Sequence, residues 1–452
     1  VRKFMSTLQI IDNEKLMLTK GATDELLKKC SSILVDGQVR DITEEDKKQI
    51  LEQNNNFAEE GLRVLGYAFK KDASDELKFD DENNLTFVGL TSMIDPPREE
   101  SKDAVEKAIR AGIKPIMITG DHAVTARSIA RKIGIFQNGD MVVDGLTLEN
   151  MTDEELARDL EKISVYARVA PEHKIRIVNA WQAKGKVVGM SGDGVNDAPA
   201  LKQADIGIAM GITGSEVSKD AADMILTDDN FATIVKAVTV GRNIFTNIKN
   251  AIKYLLTGNT GAIFVVIATT LLAFLDSKFV VPFAAIQLLF INLVTDSLPA
   301  IAIGAEKGTD DVLKQKPRDP NEPILTRATF TSVLIEAALI AVAVFAGYYI
   351  GIETGEGYAT TFAFLTLCLA RLFNGFSCRS DQPLTKIGVF SNKNTVYAFL
   401  IGITLVGIIV FIPAVGSIFK VMSLNITQVL TIIGLAIAPT IVTQIIKMIK
   451  SK

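Results

Sequence analysis

The stretch Met190-Ser-Gly-Asp-Gly-Val-Asn-Asp-Ala-Pro-Ala-Leu201 decides how the rest of the chain is read. An apolar run ending at Met190 delivers a strand to a loop in which Asp193 and Asp197 stand four residues apart. Two glycines in that loop let the backbone come close to a small ligand. Carboxylate oxygens at the carboxyl end of a parallel strand, with room for water and phosphoryl oxygens, are the usual way of holding Mg2+ beside a phosphate. A plain Asp/Gly-rich surface turn would account for Gly-Asp-Gly alone, but not for the longer string.

The same strand, loop and helix unit recurs on both sides. Strand-like runs are expected at 114–118, 163–168, 186–190, 205–210 and 224–226, with Thr119-Gly-Asp121 closing the first. Pro171-Glu-His-Lys-Ile-Arg-Ile-Val178 opens a helix after the second. This alternation predicts a doubly wound α/β sheet, whose ligands bind at the carboxyl strand ends, where Thr119, Lys174 and Asp193 all fall. Further upstream, residues 1–94 alternate strands (15–19, 32–35, 86–90) with helices (23–30, 43–61). The two prolines of Asp95-Pro-Pro-Arg98 then stiffen the chain into a hinge, and the α/β segment is expected over 95–242.

Downstream, over 243–452, the pattern turns apolar. Hydrophobic residues make up 48% of the 452 residues, and the excess lies in six candidate spans near 249–275, 283–304, 329–350, 359–378, 395–415 and 427–447. Each is long enough to cross about 30 Å of hydrocarbon, so an all-α bundle of six transmembrane helices surrounded by membrane lipid is expected. Basic residues concentrate in loops 305–328 and 379–394 and in the tail, whereas the opposite loops hold Lys278 and Lys420, which places the soluble half and both ends in the cytoplasm. A net charge of −4 offers no basic surface for nucleic acid. Cys30, Cys368 and Cys378 are too few and too scattered for a disulfide framework or a zinc site and read as packing residues. His122 and His173 read as loop and helix-cap residues. Polar residues within spans are costly, which singles out Asn292-Leu-Val-Thr-Asp296 followed by Pro299, where the proline should unwind the helix beside a carboxylate.

Gly192-Asp-Gly-Val-Asn-Asp-Ala-Pro-Ala-Leu201 resembles the hinge motif of P-type ion-pumping ATPases. Thr119-Gly-Asp121, Lys174 and Asp193 match the second to fourth motifs of the haloacid dehalogenase-like fold on which those pumps are built. The resemblance implies that Thr119 and the Gly120 amide hold phosphoryl oxygens and that Lys174 neutralises them. Asp193 would take Mg2+, and Asp121, Asn196 and Asp197 would complete the catalytic shell. Lys20-Gly-Ala22 and the strand bearing Arg63 resemble elements of the family's α+β nucleotide-binding domain. Lys3, Lys20, Gly21, Arg63 and Arg168 are then implied to contact ATP. Asn292-Leu-Val-Thr-Asp-Ser-Leu-Pro-Ala300 resembles the sixth-helix motif of calcium-transporting members, with Asn292, Thr295 and Asp296 as implied Ca2+ ligands, and Asn259 matches the asparagine that the preceding helix supplies.

Two departures bear on that implication. Two-site calcium pumps place glutamates where this chain has Ala262 and Cys368, so the resemblance implies one Ca2+ per cycle, at a site built from Asn292 and Asp296 plus a fourth-helix glutamate that this chain lacks, as in plasma-membrane-type calcium pumps. The family's phosphorylated aspartate lies in an Asp-Lys-Thr-Gly-Thr string, and none occurs in the chain. In the family that aspartate ends the central strand of the sheet, so the resemblance implies a haloacid dehalogenase-like sheet lacking its nucleophile strand. The chain, which begins at Val1 inside a strand-like pattern, is therefore expected to be the carboxyl-terminal part of a pump of the cell membrane. By itself it is expected to form no phosphoenzyme, its partner being the missing amino-terminal half. The alternative class is a catalytically inert, membrane-anchored protein that binds nucleotide. A phosphatase fused to a membrane anchor fails, because it too needs the aspartate.

Overall fold

The computed structural model describes residues 3–11, 14–71, 81–93 and 97–451. They fall into two compact units, Val1–Lys236 with Leu313–Pro317, and Ala237–Val312 with Arg318–Lys452. Asp95 and Pro96 of the expected hinge lie outside the described residues.

The first unit opens with β1 (Phe4–Ile11), β2 (Glu14–Gly21), α1 (Thr23–Leu27), β3 (Cys30–Val35), β4 (Gln38–Asp41), α2 (Glu44–Glu59), β5 (Arg63–Lys71) and β6 (Leu85–Met93). The six strands form one sheet in the order β1-β2-β5-β6-β3-β4. Thr43 starts α2 with a capping box: its hydroxyl accepts from the Asp46 N–H while the Asp46 carboxylate accepts from the Thr43 N–H, which satisfies two orphan donors of the first turn. Met17, Leu26, Leu27, Ala68, Leu85 and Phe87 form the core on the helical side of the sheet. The expected helix at 23–30 stops at Leu27 because Cys30 already pairs with Leu85 on β6. Cys30 is buried, and that burial pushes its thiol up to about 12, as suits a packing residue.

Then follow α3 (Glu99–Arg110), β7 (Met117–Thr119), α4 (Ala123–Ile133), β8 (Met141–Asp144), α5 (Gly145–Asn150), α6 (Asp153–Asp159), β9 (Ile163–Ala167) and α7 (Pro171–Ala183). The unit continues with β10 (Gly189–Gly192), α8 (Ala198–Gln203), β11 (Ile206–Met210), α9 (Glu216–Ala221) and β12 (Met224–Leu226). All pairings among these strands are parallel, and they form two sheets, β7-β9-β8 and β10-β11-β12, as a doubly wound sheet lacking its central strand would. No ladder joins β7 to β10 among the described residues. Both rest on α7 instead, Ile118 and Met190 sharing a cluster with Val178. The strand expected at 186–190 begins only at Gly189, where pairing with Ile206 of β11 starts.

Past β12, Asp229 adopts φ 47° and turns its carboxylate into the loop after β11. It accepts from the N–H groups of Gly211 (2.7 Å), Ile212 (3.0 Å) and Thr213 (2.8 Å) and from the Thr213 hydroxyl (2.8 Å). These bonds, the Ile212 amide foremost, favour the ionised form and bring the carboxyl down to about 2. A lowered folded-state value means stability that is present above the unfolded value of roughly 4 and is lost as pH falls toward 2. Asp229→Asn should therefore lower the melting temperature at pH 7, and the gap to wild type should narrow at pH 3. A gap of equal size at both pH values would contradict the assignment.

Among the described residues, six helices are long and apolar enough to cross a membrane, and they make up most of the second unit. They are α10 (Phe231–Ala273), the segment made of α11 (Ala285–Phe290), a π-helical turn (Ile291–Asp296) and α12 (Ser297–Gly304), then α13 (Arg327–Thr354) and α14 (Tyr358–Ser377). After α15 (Leu384–Ile387) come α16 (Lys393–Phe411), α17 (Pro413–Ile418) and α18 (Ile426–Lys450). The spans fall where the apolar runs predict, except that α10 begins well before residue 249 because its first turns are mixed in polarity. Buried on nearly every side, α14 packs against α13, α16 and α18. The approach of α13 uses small residues, as is usual where hydrocarbon surrounds the helices. A Cβ on Gly347 would lie 2.8 Å from the Thr366 hydroxyl, and one on Gly351 would lie 2.6 Å from the Tyr358 carbonyl.

Candidate functional site

In the first unit, parallel register brings the carboxyl ends of the strands to one edge: Thr119 lies opposite Ala167, as does Asp144. Thr119 Oγ1 accepts from the Asp121 N–H at 3.1 Å and lies 3.1 Å from Asp121 Oδ2. Gly120 is exposed between them. His122 caps α4 by accepting the Val124 N–H at Nδ1, and His173 accepts the Ala170 N–H within the first turn of α7, so both act as helix caps. Arg168, just past β9, holds φ 51°, a conformation unusual for a non-glycine residue, while its N–H donates to the Asp121 carbonyl at 3.1 Å.

One turn into α7, Lys174 Nζ reaches across to Asp197 Oδ1. Asp197 is 5% exposed, and its other oxygen accepts the N–H groups of Asp193 (3.2 Å) and Gly194 (3.1 Å). Gly192 is required here: a Cβ would lie 2.5 Å from that of Asp197. Asp197 thus folds the loop and orients the lysine. The Asp193 side chain is exposed and makes no hydrogen bond or ion pair among the described residues. Its backbone is pinned by two residues that sequence spacing does not single out: the Ser215 N–H (2.8 Å) and the hydroxyl of fully buried Ser218 (3.1 Å) both donate to the Asp193 carbonyl. The only signal that could have found them is the polar Ser215-Glu-Val-Ser218 run at the start of α9. Asn196 is exposed in the same loop. The donor set fits Mg2+, which is commonly bound through one or two carboxylates plus water and phosphate. Lys174 and Asp197 are brought together; no hydrogen bond among the described residues joins either to Thr119.

On the six-stranded sheet, Lys20 is paired with Met5 of β1 and Tyr67 of β5. Arg63, four residues before Tyr67, falls on the same face about 13 Å along the strand at roughly 3.3 Å per residue. The Lys3 carbonyl accepts the Ala22 N–H at 3.0 Å, which keeps Lys3 in line with β1 and beside buried Gly21. Thr19 and Met17 face the core, so the cations stand on the side away from the helices.

In the membrane unit, the expected unwinding before Pro299 takes the form of a π-helical turn, which keeps backbone hydrogen bonding while swinging Thr295 and Asp296 inward. The Thr295 hydroxyl donates to the Ile291 carbonyl at 2.9 Å, and the Thr295 carbonyl accepts from the Tyr254 hydroxyl at 2.5 Å. Arg371 of α14, 1% exposed, closes the cluster: Nη1 donates to Asp296 Oδ1 at 2.5 Å and Nη2 to Asn259 Oδ1 at 3.0 Å. Gly258 makes room for it, since a Cβ there would lie 2.8 Å from Arg371 Nε. Asn259 and Asn292 are exposed, whereas Thr295, Asp296 and Arg371 are buried, so the cluster is open on one side. Ala262 and Cys368 are both buried and offer no oxygen ligand from their side chains.

Residues 280–449 match the family described as cation transporting ATPase, C-terminus, and residues 1–100 match P-type ATPase, cytoplasmic domain N. The chain is 48% identical over its whole length to a calcium-transporting ATPase of Listeria monocytogenes, covering 51% of that protein. It is 45% identical over 99% of its length to calcium-transporting ATPase 1 of Lactococcus lactis, again covering 51% of that protein. A calcium-transporting ATPase of Bacillus subtilis is 39% identical over 97% of the chain. The chain spans about half the length of the curated relatives it matches. With six helices fit to cross a membrane and family matches at both of its ends, the chain is an integral membrane protein and belongs to the cation-transporting P-type ATPases.

Proposed function

We propose that this chain is the carboxyl-terminal half of an ATP-driven pump that exports Ca2+ through an aspartyl-phosphate intermediate, one ion per cycle. The observation that carries the stoichiometry is the Arg371 guanidinium, bonded to both Asp296 and Asn259. A fixed positive charge holds the place where a second divalent ion would need oxygen ligands, and Ala262 and Cys368 supply none. Asp296 Oδ2, Asn292 and the Thr295 backbone remain for a single Ca2+. The open side of the cluster would be completed by a carboxylate from a helix outside this chain.

In the soluble domains, residues 1–94 would carry the nucleotide and 95–242 the phosphoryl-transfer machinery. Lys3, Lys20, Gly21, Arg63 and Arg168 hold ATP, the planar arginine forks suiting phosphate oxygens. Mg2+, when bound at Asp193, neutralises phosphoryl charge. The edges of β7 and β10 accept between them the strand bearing the aspartate. Thr119 and the Gly120 amide then hold the phosphoryl oxygens, and Lys174, kept in place by Asp197, screens their charge. The distribution of basic loops orients the soluble domains and both ends of the chain to the cytoplasmic side of the cell membrane.

The test is ATP-dependent Ca2+ uptake by sealed vesicles carrying the full-length protein, with an acid-stable phosphoenzyme that appears when Ca2+ is added. A phosphoenzyme triggered by Na+ or K+ and indifferent to Ca2+ would overturn the reading.

A further inference from the structure

A second buried ion pair in the membrane unit takes no part in the chemistry above. Lys253 Nζ on α10 lies 2.7 Å from Glu336 Oε1 on α13, and the two side chains are 5% and 6% exposed. The same carboxylate oxygen accepts the Ser332 hydroxyl at 3.1 Å, and the Cys378 thiol, just past α14, lies 3.9 Å from Oε2. Two charges placed where few polar groups belong are a poor device for stability, since well-packed apolar residues of similar size commonly do as well or better. The directional tie they provide between helices is something apolar packing does not supply.

Where that tie falls is informative. Eight residues further along α10, Gly261 brings the helix against the next residue of α13: a Cβ there would lie 3.2 Å from the Ala337 carbonyl and 3.3 Å from Ile340. α10 is therefore held to one short stretch of α13 at two points, roughly 12 Å apart along its axis at 1.5 Å per residue. Two such points fix both the rotation and the axial position of the helix. Asn259, whose side chain meets Arg371, lies between them.

We propose that the Lys253–Glu336 pair is a positioning clasp that sets the register of α10 on α13 and thereby places Asn259 against Arg371 and Asp296 for cation binding. The proposal rests on reading that cluster as the Ca2+ site. Lys253 and Glu336 touch no ion; they act through Asn259.

The experiment uses the full-length pump with Lys253→Met, Glu336→Gln and the paired Lys253→Met/Glu336→Leu. Melting temperature and the half-saturating Ca2+ for phosphoenzyme formation are measured on each. Each single change should lower the melting temperature by stranding a buried charge. The apolar pair should recover it, yet raise half-saturating Ca2+ roughly tenfold, within the range carried by coupling between packed sites. Recovery of both quantities by the apolar pair would show that the ions only fill space and would overturn the clasp. Should the apolar pair fail to fold, the reversed pair Lys253→Glu/Glu336→Lys decides: the clasp predicts wild-type half-saturation, and a folded reversed pair displaced as far as Glu336→Gln would refute it. The wild-type control reports on the pump reading separately, so failure of that reading shows there and failure of the clasp only in the variants.

Discussion

Asp193→Asn in the full-length pump should slow phosphoenzyme formation by about a hundred- to a thousandfold, the usual cost of removing one electrostatic partner of the transferring group, while Asp205→Asn leaves it near wild type. The contrast follows from where the two carboxylates lie relative to β10. Asp193 follows its carboxyl end, exposed, with its backbone fixed by Asp197 from one side and by Ser215 and Ser218 from the other. The side chain is presented without a partner among the described residues and is available to a hard cation. Asp205 guards the opposite end, where its carboxylate accepts the Val188 N–H at 2.7 Å. Five residues of extended chain separate Val188 from Asp193, about 16 Å, and an asparagine oxygen can still accept the Val188 bond. The measurement is the rate of labelled phosphate transfer from ATP at saturating Mg2+. Equal rates in the two variants would remove Asp193 from the Mg2+ site.

Features carried by local spacing were legible in the sequence. The loop after β10 announces itself because glycine, aspartate and proline must recur at fixed offsets for the backbone to turn beneath Asp197. The membrane spans announce themselves by length and hydropathy. What stayed hidden was carried by long-range geometry. Arg371 is a charge within an apolar span, but its partner lies 75 residues away and the pairing depends on a π-helical turn that no composition signals. Pro299 predicts an unwound segment; the helix instead admits a wider turn and keeps its backbone bonds, the cheaper solution in an apolar surrounding. That the central strand of the α/β segment is lacking follows from the absent Asp-Lys-Thr-Gly-Thr string, but strand alternation does not say which strands then pair, and the order β7-β9-β8 beside β10-β11-β12 stayed hidden. Strands β4 and β8, four residues each, were too short for periodicity to register.

Asp296→Asn should abolish Ca2+ transport, Asn259→Ala should weaken it less, and the wild-type pump should bind one Ca2+ per phosphorylation site. Ca2+ takes roughly six to eight oxygens, and affinity falls as charged ligands are removed. Asp296 is the one carboxylate of the cluster. With Oδ1 engaged by Arg371, it offers Oδ2 to the ion, and its amide replacement would also strand a buried guanidinium. A second Ca2+ near Asn259 would sit beside that guanidinium. At 4 Å and an effective dielectric constant of about 20, a divalent ion and a unit positive charge repel by roughly 8 kcal/mol, more than a neutral amide oxygen can offset. Asn259 contributes only such an oxygen, already shared with Arg371 at 3.0 Å, so its loss loosens the arginine rather than stripping the ion of charge. Melting curves recorded beside the transport assay separate loss of the site from loss of the fold. Equilibrium Ca2+ binding to the detergent-solubilised full-length protein then settles the number: two ions bound cooperatively per phosphorylation site would mean that Arg371 moves out of the cluster and that the one-ion reading is wrong.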